Sequence, residues 1–93
     1  MIGSYRDNDT QRLAEGKSVA RLRSIAAPAR RKLYQMHLAR NVRELSIPPG
    51  NRLERLRGNR EGQWSVRIND RWRICFEWRG DCAYNVEIVD YHP

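Results

Sequence analysis

GQWSVRINDRWRICFEWRGDCAYNVEIVDYH, residues 62–92, is the stretch whose pattern decides the fold. Trp64, Val66 and Ile68 alternate with Ser65, Arg67 and Asn69, and Trp72, Ile74, Phe76 and Trp78 alternate with Arg73, Cys75 and Glu77. A period of two sends successive side chains to opposite faces, which is the signature of half-buried strands. Asn69, Asp70 and Arg71 supply turn chemistry between the two runs, and Arg79, Gly80 and Asp81 do so before a third run, Cys82 to Val89.

Residues directly opposite in an antiparallel pair point the same way, so the faces predict the register. A turn at Asn69 to Arg71 sets Val66 opposite Ile74 and Arg67 opposite Arg73. With Arg79, Gly80 and Asp81 in the second loop, Phe76 faces Tyr84, Ile74 faces Val86 and Arg73 faces Glu87, leaving Arg67, Arg73 and Glu87 in a row on the polar face. Two arginines opposite each other cost about 0.2–1 kcal/mol, which an anion would offset; a Glu87 that merely neutralises Arg73 on a solvated face is the plainer account.

Working outward, 93 residues make one small domain, 1–93, with a modest core. The net charge is +7, and 16 of the 18 basic residues are Arg, whose planar fork suits phosphate. A polyanionic partner is expected. There is no apolar run of about 18 residues and no h-region near the start, so the chain is expected in the cytoplasm, without membrane contact. Cys75 and Cys82 fall on opposite parities, which predicts opposite faces and two free thiols.

Before the sheet, Met1 to Tyr5 reads as a short strand. Asn8 or Asp9 is the expected cap of a helix that Gly16 stops. A second helix carries Pro28 in its first turn and Ile25, Ala29, Leu33, Met36 and Arg40 along one face, with Arg30, Arg31 and Lys32 opposite. Asn41 to Leu45 adds a turn, and Pro48-Pro49-Gly50 ends helical structure. The expected fold is α+β: an antiparallel sheet of four or five strands with two to three helices packed on one face, burying Trp64, Ile68, Trp72, Ile74, Phe76, Val86 and Ile88.

The other face is left for chemistry. The chain lacks a P-loop, a Rossmann glycine fingerprint and a Gly-x-Ser-x-Gly elbow. His37, His92, Cys75 and Cys82 lack zinc-ligand spacing, so neither metal nor cofactor is expected. RNA cleavage by attack of a 2′-hydroxyl on its neighbouring phosphate needs no metal; it needs orientation, fixed positive charge and proton transfer. Arg57, Arg67 and Arg73 suit the charge, His92 the proton, while Asp90 can orient or accept and Tyr91 can donate or stack. A terminal Asp-Tyr-His tripeptide taken alone is more simply a solvated tail.

Gly58-Asn59-Arg60-Glu61-Gly62, Trp64-Ser65-Val66-Arg67, Trp72-Arg73-Ile74-Cys75-Phe76 and Val89-Asp90-Tyr91-His92, with Ile2-Gly3-Ser4-Tyr5-Arg6 and Pro48-Pro49-Gly50-Asn51, resemble the HigB (host inhibition of growth) branch of the RelE/ParE toxin superfamily. The resemblance implies a RelE-like fold and a ribosome-dependent mRNA interferase of a type II toxin-antitoxin system, cutting mRNA in the ribosomal A site. It implies a helix-turn-helix antitoxin of the HigA type, the ribosome and mRNA as partners. Asp90, Tyr91, His92, Arg73 and Arg67 are the catalytic candidates it supports, and Arg57, Arg60, Arg30 and Arg31 are the candidate RNA contacts.

Leu53-Glu54-Arg55-Leu56 stands where some members carry Leu-His-Pro-Leu, which makes Glu54 a candidate base in place of a histidine, weaker unless burial raises its pKa. Arg57 stands where Lys is frequent. Two other readings use the same basic surface: a toxin of this fold that binds and poisons DNA gyrase, and a non-catalytic RNA-binding module.

Overall fold

The computed structural model describes residues 1–91. Its sheet has four antiparallel strands in sequence order: β1 (Glu54–Arg55), β2 (Trp64–Arg67), β3 (Trp72–Arg79) and β4 (Cys82–Asp90). Helices α1 (Asn8–Ala14) and α2 (Ala26–Leu38) lie together on one face. None of the described helices is long and apolar enough to cross a membrane.

Asp7, one residue before the expected cap, starts α1: its carboxylate accepts the Thr10 N–H at 3.3 Å. Gly16, at φ +88°, ends the segment with its N–H donated to the Leu13 carbonyl. In α2, Ala29, Leu33 and Met36 form the buried stripe, and Ile25 precedes it. Arg40 does not extend that stripe, because the helix has already ended at Ala39 and Arg40 is exposed.

These helices, a 3-10 turn at Ala20–Ile25 and Leu45 close over Val66, Ile74, Phe76, Ala83, Val86 and Ile88. Trp64, Ile68 and Trp72, expected in the core, are half-buried at its margins. One buried polar side chain ties the connection after α2 in place. The Asn51 amide donates to the Leu45 carbonyl and to Gln35 Oε1, each at 3.1 Å, and its Oδ1 accepts the Lys32 ammonium.

The first hairpin has the expected register, with Val66 opposite Ile74 and Arg67 opposite Arg73. The second does not. Its loop is only Gly80 and Asp81, since Arg79 faces Cys82, and a bulge interrupts the ladder between Cys75 and Glu77. Asn85 and Val86 oppose Phe76 alone, with Asn85 in the left-handed region at φ +52°. Unbroken alternation across Ala83-Tyr84-Asn85-Val86 would put Ala83 and Val86 on opposite faces, and the bulge reverses the parity there. Val86 and Ala83 can thereby both face the core. Glu87 consequently lies opposite Cys75, and Val89 opposite Arg73. Cys82 shares the face of Cys75, contrary to the expectation of opposite faces. The four-position offset from Cys75 to Arg79, the partner of Cys82, still keeps the thiols about 13 Å apart along the strand, and both are free.

The N-terminal segment fills the place of a fifth strand. Ile2 and Tyr5 form parallel bridges to Ala83 and Val86, with Gly3 N–H donating to the Ala83 carbonyl at 2.7 Å and Arg6 N–H to the Val86 carbonyl at 3.0 Å. Gly3 is needed there because a Cβ would come within 2.6 Å of the Tyr84 ring.

Substitutions at two positions test this frame. Asn51→Ala strands Lys32 and the loop carbonyls and should lower unfolding free energy by about 1–3 kcal/mol in urea titration. Asn85→Val forces a β-branched residue to positive φ and should cost about 1–2 kcal/mol, with Asn85→Gly costing less.

Candidate active site

On the face away from the helices, β3 presents Arg73, Cys75, Glu77 and Arg79, β2 presents Ser65 and Arg67, and β1 presents Glu54 opposite Ser65. Arg73 is the centre. It is only 9% exposed, and its guanidinium is hydrogen-bonded to neutral oxygens: Nε donates to Ser65 Oγ and Nη2 to the Arg52 carbonyl, both at 2.8 Å. Glu54 Oε1 stands 4.0 Å from Nη2, and the Arg73 Cζ lies 5.8 Å from the centre of the Tyr91 ring. Tyr91 is drawn there by its own N–H, which donates to the Arg71 carbonyl at 2.6 Å. The site is thus a fixed cation flanked by a carboxylate and a partly exposed phenol ring.

A second layer lies beside it. Arg60, in the 3-10 turn Gly58–Arg60, donates through Nη1 to Glu87 Oε1 at 2.7 Å and to Gln63 Oε1 at 3.0 Å. That carboxylate, more than any other neighbour, holds the Arg60 guanidinium above its ordinary pKa. Arg6 Nε approaches Glu87 Oε2 at 3.7 Å. Glu87 therefore neutralises Arg60 and Arg6, and the expected pairing with Arg73 is replaced. Beneath these charges Cys75 is fully buried, and burial pushes its thiol pKa up.

The remaining candidates are dispersed. Arg67, though opposite Arg73, is paired with Asp70. Asp90 lies opposite Trp72, on the core-side parity, and holds Arg71 through two bonds of 2.8 and 2.7 Å. Arg57 is exposed between β1 and the Gly58–Arg60 turn. Arg31 is exposed on α2, whereas Arg30 donates to the carbonyls of Leu13 and Lys17 at 3.0 and 2.9 Å, joining α2 to the end of α1. Arg30 also lines a cavity of about 240 Å³ with Ile2, Tyr5, Leu33, Tyr34 and His37, apart from the open sheet face. His92 lies outside the described residues. Among those described, no group of three His, Cys, Asp or Glu side chains gathers as a metal site.

Ser65 and the Arg52 carbonyl were not among the residues the sequence singled out. Ser65 carried a signal, as the one small hydroxyl on the parity of Arg67. A main-chain carbonyl carries none, since any residue at position 52 would supply it.

A family model described as "RelE-like toxin of type II toxin-antitoxin system HigB" matches residues 3–92. Toxin HigB-1 of Vibrio cholerae serotype O1 is 44% identical over 55 residues, which are 59% of this chain and 58% of that protein. Endoribonuclease HigB of Proteus vulgaris is 42% identical over 41 residues, 44% of this chain and 45% of that protein. The chain thus matches about half the length of these curated relatives.

The layering predicts a split in thiol chemistry. Titration of the native protein with a disulfide reagent should modify Cys82 alone, with Cys75 reacting only on unfolding, and Cys82→Ser should remove the native signal. A second fast thiol would mean that Arg60 and Glu87 do not cover Cys75.

Proposed function

The chain belongs to the HigB-like family of RelE-like toxins of type II toxin-antitoxin systems, and from that premise we propose that it is an endoribonuclease that cuts mRNA in the ribosomal A site and so arrests translation. The observation that carries the proposal is the setting of Arg73. A guanidinium buried on an open sheet face, oriented by Ser65 Oγ and the Arg52 carbonyl and flanked by Glu54 and Tyr91, is a prepared site for a phosphate on which charge develops. The relative from Proteus vulgaris is named an endoribonuclease.

In this mechanism the 2′-hydroxyl attacks the adjacent phosphate. The bond to the 5′-oxygen breaks, leaving a 2′,3′-cyclic phosphate and a new 5′-hydroxyl. Arg73 stabilises the charge growing on the non-bridging oxygens, with Arg67 at the edge of the same surface. Glu54, 4.0 Å from Arg73, takes the proton of the attacking hydroxyl, or orients it. His92, directly after Tyr91 in sequence, returns a proton to the leaving oxygen. Tyr91 offers a ring for base stacking as well as a hydroxyl. Asp90, bound to Arg71, fixes the approach of the tail. Every step runs through side chains, so no metal is required. The ribosome supplies the substrate positioning that a shallow site cannot. The protein works in the cytoplasm and is restrained there by a helix-turn-helix antitoxin of the HigA type.

The test is brief induction in a bacterial host of the wild type, Arg73→Gln and His92→Ala, with 5′ ends mapped on translated messages. In-frame cuts should appear with the wild type and fall by about 10²-fold or more in Arg73→Gln, as for removal of one transition-state donor. Growth arrest without new ends would sink the nuclease reading and redirect the search to a bound target such as gyrase.

A further inference from the structure

The turn at Pro49–Asn51, with Arg52 behind it, links two cationic regions. On one side the buried Asn51 amide accepts the Lys32 ammonium from α2; on the other, the Arg52 carbonyl accepts Arg73 Nη2 at 2.8 Å. The same turn packs on β2, whose last residue is Arg67. Lys32, Arg52, Arg67 and Arg73 therefore gather around one turn, with Arg31 next to Lys32 on α2. Asp70 pairs with Arg67 and Glu54 stands near Arg73, but among the described residues no carboxylate pairs with Arg31, Lys32 or Arg52.

The ammonium of Lys32 feels this crowding. Burial first, then the charges of Arg31 and Arg67, hold its pKa below the ordinary lysine value. A half-buried ammonium fixed by a buried amide is far from the freely hydrated lysine of a surface kept only for solubility. Like charges held together in this way are relieved by an anion laid across them, and because Asn51 already orders Lys32, little side-chain entropy remains to be lost on binding.

We infer that Arg31, Lys32 and Arg67 form a phosphate subsite that takes the backbone of single-stranded RNA beside the phosphate held at Arg73. Arg67 and Arg73 face each other across β2 and β3, about 5 Å apart at Cα, so the subsite begins one side chain from the reacting phosphate and runs from there toward α2. The subsite rests on the RNA-cleaving reading above and adds to it the direction in which the strand leaves the sheet.

The test uses fully 2′-O-methylated RNA, whose blocked 2′ position prevents cutting. A dinucleotide and a hexanucleotide are titrated at several salt concentrations. Lys32→Gln and Arg31→Gln should each weaken hexanucleotide binding about fivefold or more and reduce the slope of log affinity against log salt by about 0.7, the value for one lost phosphate contact on a single strand. Dinucleotide binding should stay unchanged, Lys32→Arg should retain hexanucleotide affinity, and Arg12→Gln on α1 should match the wild type. Arg31 is exposed, so its variant carries the test if loss of the Lys32 to Asn51 contact unfolds the protein. Unaltered hexanucleotide affinity and slope in Arg31→Gln, or equal losses on both lengths, would overturn the subsite. Length-dependent binding through Arg31 and Lys32 in a chain that cuts no translated message would uphold the subsite and remove only the nuclease reading.

Discussion

The bulge at Asn85 sets the position of everything that follows it. With the same two-residue loop and no bulge, Arg73 would stand opposite Ile88 and Tyr91 opposite Asp70. One residue accommodated at positive φ draws the strand back, so that Val89 pairs with Arg73 and Tyr91 reaches the Arg71 carbonyl. The bulge is itself fastened from both sides: the Asn85 N–H donates to Ser4 Oγ and its amide to Glu77 Oε2, each at 2.9 Å. A local choice of backbone conformation thereby decides which charges meet on the opposite end of the sheet, as bulges near functional sites commonly do.

The charges are then sorted by neutralisation. Arg67 and Arg73, facing each other, would repel if both stood upright, but Arg67 leans on Asp70 while Arg73 bends to Ser65 and Arg52. Glu87 goes to Arg60 and Asp90 to Arg71. Arg73 differs from these in bonding chiefly to neutral oxygens, which orient a cation without cancelling its charge. Hydrogen bonds to a hydroxyl and a carbonyl therefore orient Arg73, while Glu54 stays at the outer limit of an ion pair, 4.0 Å away.

The strands, the first hairpin register and the core of α2 were legible because they follow from periodicity, which depends on many residues at once. Trp64 to Trp78 announces its faces through repeated alternation, and the paired Arg67 and Arg73 follow directly. The second hairpin was not legible by that argument, because a single left-handed asparagine reverses parity without disturbing composition. Its trace was the three-residue spacing of Ala83 and Val86, both buried. At the site, Arg73, Tyr91 and Glu54 could be named from the resemblance, but their mutual placement depends on main-chain atoms of Arg52 and Arg71 that no side-chain pattern reveals. Arg30 shows the converse: an arginine in a basic run whose work is to hold two backbone carbonyls.

The parallel pairing of residues 2–5 with residues 83–86 has a kinetic side. Hairpins β2–β3 and β3–β4 close loops of a few residues, whereas docking the N-terminal segment closes a loop of about eighty, at a much larger entropic cost. The hairpins need only local contacts, so until the segment docks they stand without it. In that interval the outer edge of β4 displays unpaired backbone groups, the kind of template on which chains join to one another. The few bonds made by Gly3, Ser4 and Arg6 cover that edge in the folded protein.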